Sequence, residues 1–333
     1  VACGRDAEAT RAFADNWGWG ETCDDWREVV EREDIDIIDI ATPTYLHRDM
    51  AVAAAEAGKH IFCEKPFSLD AAEAGQMLAA AQKAGVVHYL NHNYRRCPAV
   101  RLAKRLIDEG KLGRIYHWRG TYQQDWLSDP ETPMRWQLKN EFAGGGPHID
   151  LGSHSVDLAR YLVGEIKTVS CLKTNFVDRR PLPDGGDDEV TVDDASLMNV
   201  EFEGGAIGSF ECTRYASGRK NHNQFEINGS LGSVVFDLER MNELEFFSKT
   251  DPQGEQGFRT ILATDPSHDY VGNWWPPGHI IGYEHEFVHA AADFLNAVSR
   301  HEPIHPDFAD GVACMRVLDA ASRSAESGRR ETV

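Results

Sequence analysis

The chain has 333 residues with 34 basic and 54 acidic side chains, and its formal charge of −20 excludes an ordinary nucleic-acid partner, whose phosphates it would repel. With 41% hydrophobic side chains it is long enough to build two packed domains. No stretch approaches the roughly 18 consecutive apolar residues of a membrane span, and the N-terminus lacks the basic and apolar regions of a signal peptide, so a cytoplasmic protein without a membrane partner is expected.

The opening Val1-Ala2-Cys3-Gly4-Arg5-Asp6 reads as a strand running into its loop. A second apolar run, residues 35–40, ends at Thr42-Pro43, where proline's missing donor terminates a strand. An alanine-rich helix over residues 49–57 stops at Gly58, and His60-Ile61-Phe62-Cys63 forms the next strand, closed by Glu64-Lys65-Pro66. Asp70 with Glu73 makes an N-terminal capping signature for a helix reaching about Gly85, and residues 86–90 give a further strand. Strands alternating with helices at such spacings predict a parallel sheet with right-handed crossovers.

From about residue 115 alternating segments predict a large antiparallel sheet: Ile115 to Trp126, Ser196 to Phe202, Ala206 to Thr213 and Ser233 to Asp237. Helices over about residues 284–299 and 308–327 close the chain, and the Pro-, Gly- and Asp-rich stretch from Pro181 to Asp188 reads as a mobile loop. The expected class is therefore α/β plus α+β. A dinucleotide-binding domain over residues 1–114 is followed by a substrate and oligomerisation domain over 115–333, with the C-terminal helices packing back.

No GxGxxG turn occurs, although a Rossmann-type fold normally opens with one, because its amides hold the pyrophosphate. The first βα unit is therefore expected to be missing from the given sequence, with Val1–Asp6 serving as the second strand. Seven cysteines lie far apart with no CxxC pair, which suggests neither a zinc cage nor a disulfide framework.

Lys65 stands at the C-terminal end of a parallel strand, where open α/β sheets bind their ligands, though a surface Lys-Pro turn is equally compatible with the spacing. In Gly144-Gly145-Gly146-Pro147-His148-Ile149-Asp150-Leu151-Gly152-Ser153-His154 three glycines would let the backbone approach a ligand. On the helix that follows, Asp150 and His154 are i and i+4 and share one face. A capping aspartate and a satisfied histidine is the competing reading. A metal site from His148, Asp150 and His154 is disfavoured, since i, i+2 and i+6 do not converge on a helix.

Ala41-Thr42-Pro43 with His47, Glu64-Lys65-Pro66, Asn93-Tyr94-Arg95-Arg96 and GGG-x3-D-x3-H, in this order over nearly the whole chain, resemble the glucose-fructose oxidoreductase, inositol dehydrogenase and MocA (Gfo/Idh/MocA) family. Within it, Gly120 to Trp126 and the Trp275-Pro276 segment are most similar to the levoglucosan dehydrogenase branch. The resemblance implies hydride transfer between a sugar or polyol carbinol and a nicotinamide. His154 would be the general base, Lys65 would stabilise the developing oxyanion, and Asp150 would orient the substrate or relay a proton. It also implies a cofactor trough of Thr42, Pro43, His47, Glu64, Lys65 and Asn93. Arg95, Tyr122, Gln124, Asp125 and Trp126 would sit near the sugar, as befits a polyhydroxylated ring.

Arg5 at the second-strand position favours NADP whereas the levoglucosan branch favours NAD, so both cofactors stay open. Two alternatives remain beside a dehydrogenase: an NAD-dependent glycosidase working by transient oxidation and elimination, and a cofactor-sensing regulator. The Lys65, Asp150 and His154 set argues against the regulator. An open-faced sheet predicts a homodimer or homotetramer.

Overall fold

In the first part of the chain short strands alternate with helices, and every strand pair formed there is parallel. The computed structural model describes residues 1–333 and separates into two units, Val1–Asn91 with Phe294–Val312, and His92–Asp293 with Ala313–Val333. In the first unit β1 (Ala2–Cys3) pairs in parallel with β2 (Thr22–Cys23). A second parallel sheet is ordered β3 (Ile37–Ile40), β4 (His60–Cys63), β5 (His88–Leu90). The helices are α1 (Ala7–Trp17), α2 (Trp26–Glu31), α3 (His47–Glu56) and α4 (Ala71–Ala84).

The caps follow the sequence signals. Asp6 accepts from the amides of Glu8 and Ala9, and Asp70 from that of Glu73. Gly85 adopts φ 66° at the end of α4, a conformation that costs glycine nothing. The returning segment 294–312 closes this unit, with Phe308 against Phe67 at 4.7 Å, Phe294 edge-on to Phe62 at 5.5 Å, and the Leu90 amide donating to Pro306 O.

The second unit takes α5 (Pro98–Asp108), β6 (Ile115–Gln123), α6 (Asn140–Ala143) and α7 (Pro147–Leu162), then β7 (Ile166–Thr174), β8 (Arg179–Pro181), β9 (Asp187–Glu189), β10 (Ala195–Phe202) and β11 (Ile207–Thr213). It continues with β12 (His222–Gly229), β13 (Gly232–Asp237), β14 (Glu243–Ser248) and β15 (Arg259–Leu262). Helices α8 (Glu284–Arg300) and α9 (Phe308–Ser327) each contribute to both units, and β16 (Glu331–Thr332) ends the chain. A boundary at 114 is thus replaced by one at Asn91. The reason is packing: α5 lies against α7, β13 and β14, so it belongs with the sheet of the second unit.

Nine strands form that sheet in the order β15-β14-β13-β12-β6-β11-β10-β7-β16, antiparallel except for the parallel β6–β11 pair. Strand period two sorts its faces. The row Val169, Val200, Gly208, Trp118, Ile227, Val234, Phe246 runs across one face, and α7 packs on β6, β10 and β11. On the other face Ser170, Asn199, Ser209, Arg119 and Glu226 make a polar row. That face is mixed, with Leu172, Leu197, Ile207 and Leu262 its large exposed apolar side chains.

The Pro181 to Asp188 stretch is a hairpin rather than an irregular loop. β8 and β9 pair, and Gly185 and Gly186 take the positive φ of the turn. Arg180, fully buried, ties the hairpin down by donating to the carbonyls of Leu127 and Asp129 and to the Tyr215 hydroxyl. No helix is long and apolar enough to cross a membrane.

Trp118 is the keystone of the buried row, 1% exposed and stacked on Phe225 at 5.3 Å. A Cβ at Gly120 would lie 2.8 Å from its indole nitrogen, so glycine there makes the room for it. Trp118→Ala is expected to lower stability by about 3–5 kcal/mol, read as a reduced urea midpoint at unchanged slope. A loss under about 1 kcal/mol would contradict this packing role.

Candidate active site

At the carboxyl edge of the first unit, β3 runs into Thr42 and Pro43, β4 into Glu64 and Lys65, and β5 into Asn91. His47, 1% exposed, places Nε2 2.8 Å from Thr42 O and Nδ1 3.2 Å from Phe67 O. Burial lowers its pKa against the pull of these carbonyls, and the ring in its neutral form donates to one of them. It therefore joins the two loops from behind instead of facing a ligand, which revises its place in the trough. Glu64 Oε2 accepts from the Lys65 amide at 3.1 Å, and Glu64 Oε1 from Asn91 Nδ2 at 2.5 Å. Asn91 Oδ1 is buried at this edge with no hydrogen-bond partner within the chain. Arg5 is exposed where β1 ends, and the neighbouring Asp6 is engaged in capping α1. A cavity of about 260 Å³ lined by Ala81, Gly85, Val87, His88, His301 and Pro303 lies at the opposite, amino end of β5, away from where such sheets bind nucleotides.

In the second unit the glycine run serves the chain itself. Gly144 takes φ 74° to end α6. A Cβ at Gly146 would lie 1.9 Å from Asp193 O, so glycine here lets this backbone approach Asp193. With no side chain at the N-cap, Asp193 caps α7 from a distance: its carboxylate accepts from the amides of Gly146 at 2.9 Å and His148 at 2.8 Å. His148 is fully buried, with Nδ1 at Ser196 Oγ and Nε2 at Leu318 O, so no metal set forms around it.

Asp150 and His154 do lie on one helix, α7. His154, 3% exposed, has its ring 4.5 Å from that of Tyr94, 5.7 Å from Tyr122 and 5.8 Å, edge-on, from His92. The phenols form a chain. Tyr122 donates to Asn221 Oδ1 at 2.8 Å, so Tyr94 donates to the Tyr122 oxygen at 2.7 Å. Gln124 Nε2 also donates to Asn221 Oδ1, at 3.0 Å, and Trp126 Nε1 to Gln124 Oε1 at 2.9 Å. Burial pushes both phenols well up, so they stay protonated and serve as donors.

Three other expected ligand residues are held by the scaffold. Asn93 Nδ2 donates to Glu286 Oε2 at 2.8 Å, and Arg95 makes a two-pronged ion pair with buried Asp157 at 2.8 and 2.7 Å. Asp125 accepts from Lys220 Nζ and the Gly218 amide, fixing the loop after β11. An amide, a guanidinium and a carboxylate in a sequence do not say which partners they will meet, and here each has a partner within the chain.

Residues 1–92 match the oxidoreductase family with an NAD-binding Rossmann fold, and residues 100–235 match its C-terminal domain, both of the Gfo/Idh/MocA type. The chain belongs to the Gfo/Idh/MocA oxidoreductases. It is 42% identical to levoglucosan dehydrogenase of Pseudarthrobacter phenanthrenivorans, covering 96% of this chain and 84% of that one. Among solved structures, an oxidoreductase domain protein from Kribbella flavida is 47% identical with TM-score 0.97 over 99% of this chain and 89% of that one. A levoglucosan dehydrogenase in complex with NADH and levoglucosan is 41% identical with TM-score 0.97, over 99% and 88%.

Beyond the residues its family motifs mark, this oxidoreductase draws in Arg214, Asn221 and Glu286, which no motif announces. Glu286 is fully buried, and that burial raises its carboxyl pKa from 4.5 to about 8. Below about pH 4.5 it is protonated folded or unfolded. Between there and about 8 the unfolded chain releases the proton that the folded chain keeps, so stability falls as pH rises through that window. The neutral variant Glu286→Gln is expected to gain on the parent progressively from pH 4.5 to 8 in thermal melts. Parallel curves would show that Glu286 is not buried as an acid.

Proposed function

We propose that this protein oxidises a secondary alcohol of a sugar, anhydrosugar or inositol, with NAD as hydride acceptor. The observation that carries the reading is the set on the second unit: a buried imidazole, His154, on the same helix as Asp150, against protonated Tyr94 and Tyr122, with Gln124, Trp126 and Asn221 joined to them. Neutral donors and aromatic faces suit a polyhydroxylated ring, and among these groups the imidazole is the base. Similarity to a levoglucosan dehydrogenase supports an anhydrosugar as first choice.

Bound NAD supplies the hydride acceptor. Thr42, Pro43, Glu64 and Lys65 would hold its nicotinamide end, a placing that the unpartnered Asn91 Oδ1 at the same edge supports. Arg5 would lie near the 2′ position and would bear on the preference between NAD and NADP. His154 takes the hydroxyl proton on an imidazole nitrogen, Lys65 stabilises the oxygen's growing negative charge, and Asp150 orients the hydroxyl.

With the full-length protein, NADH formation should appear with anhydrosugars, aldoses or inositols. Lys65→Ala or His154→Ala should lower kcat/KM by about 10²- to 10⁴-fold while leaving the melting temperature within a few degrees. Sugar release from a glycoside without net NADH would replace the dehydrogenase by redox elimination, and NAD binding with neither reaction would leave a regulator. Assembly as a homodimer or homotetramer is placed on the open sheet face at Leu172, Leu197 and Ile207. Sedimentation of a monomer at micromolar concentration would refute it.

A further inference from the structure

Arg214 follows the last residue of β11 and is only 1% exposed. Its Nη2 makes an ion pair with Asp150 Oδ2, and its guanidinium lies over the Trp126 ring at 5.0 Å. Nε and Nη1 are buried with no hydrogen-bond partner. A guanidinium always carries its charge, and here that charge, shielded from water, bears on Asp150. Asp150 itself keeps 29% of its side chain accessible, so it is the open end of a sealed pair.

We propose that Arg214 is a positioning residue that keeps Asp150 an oriented carboxylate, so that Asp150 receives hydrogen bonds from the substrate's hydroxyls and does not carry the proton. This rests on the reading of Asp150 given above and decides between its two possible roles. A carboxylate held by a permanent cation is a poor proton carrier but a firm acceptor. The proton path is thereby left to His154. Trp126 ties the arginine to the sugar-facing side, since the same indole that donates to Gln124 forms its stacking surface. Other titratable groups facing Asp150 in this unit are Tyr122 on β6, whose phenol the carboxylate helps keep protonated, and His154 one turn on along α7. Asp193 stands at the start of the same helix.

The test is a double-mutant cycle on the NAD-loaded enzyme with its best sugar, read as kcat, KM and their pH profiles. Arg214→Met should lower kcat/KM about 10- to 100-fold, the range of a lost charged positioning contact, mostly through KM, and should move the acid limb of kcat/KM to higher pH. Arg214→Lys should restore the acid limb. Combined with Asp150→Asn, Arg214→Met should add no more than about twofold to the loss of Asp150→Asn alone. Fully multiplicative losses, or an acid limb that Arg214→Lys fails to restore in a folded enzyme, would overturn the proposal.

A ¹³C titration of the Asp150 carboxyl, assigned by difference against Asp150→Asn, reads the pair without catalysis. Its midpoint should rise in Arg214→Met, and an unmoved midpoint sinks the inference drawn from Arg214. Unchanged kcat/KM in Asp150→Asn would instead sink the role of Asp150 in the reaction, and with it Arg214's catalytic part.

Discussion

The second unit depends on one contact, the carboxylate of Asp193 against the first amides of α7. A helix beginning at Gly146-Pro147 has no side chain to cap it, and proline removes only one of its unsatisfied donors. Asp193, from the segment before β10, fills that gap with two hydrogen bonds and closes in so far that only glycine fits opposite its carbonyl. The cap pins the start of α7 to the sheet's edge, and the helix then carries Asp150 and His154 one turn apart over β6 and β11. Loss of the cap would leave both residues present in the sequence and misplaced in space.

Burial of charge is the second organising theme. The chain is strongly acidic overall, yet the interior of the second unit holds two ion pairs, Arg95 with Asp157 and Arg214 with Asp150. The first is closed and symmetric, with two nitrogens meeting two oxygens, and it anchors Asn93–Arg96 to α7. The second is lopsided, since only one guanidinium nitrogen meets the carboxylate. Buried pairs add little net stability over apolar packing, but each removes the freedom of the side chains it joins. At Asp150 that loss of freedom fixes the carboxylate to which the proposed reaction assigns the orienting of a hydroxyl.

The first unit is simpler chemically. Its strands end in a row of polar loops, and His47 and Glu64 hold these loops to one another through backbone and amide partners. The unfilled Asn91 acceptor and exposed Arg5 remain at the edge. A buried histidine set against two loop carbonyls and a glutamate engaged by Asn91 make a stiff margin, as a nucleotide-binding edge requires.

Much of this was legible in one dimension, because it is written in local rules. Asp70 with Gly85 bounded α4, residues 308–327 gave α9, and the spacing of Asp150 and His154 put them on one helix; caps, periods and i, i+4 geometry need no distant partner. The strands β7, β12, β14 and β15 carry weaker local signals than the segments named from the sequence. The pairing that turned Pro181–Asp188 into a hairpin was not legible there, since strands are completed by partners far along the chain. For the same reason the roles of Asn93, Arg95, Asp125 and His47 were decided only by folding, which gave their polar atoms to Glu286, Asp157, Lys220 and the carbonyls of Thr42 and Phe67. Arg214 is the clearest case: an arginine after a strand has no local signature, and its neighbours Asp150 and Trp126 lie 64 and 88 positions earlier in the chain. Sequence by itself determined which helices form and which residues could do chemistry. Tertiary structure decided which of them face one another, because the desolvation that makes a charge or a hydroxyl useful exists only once distant segments have excluded water around it.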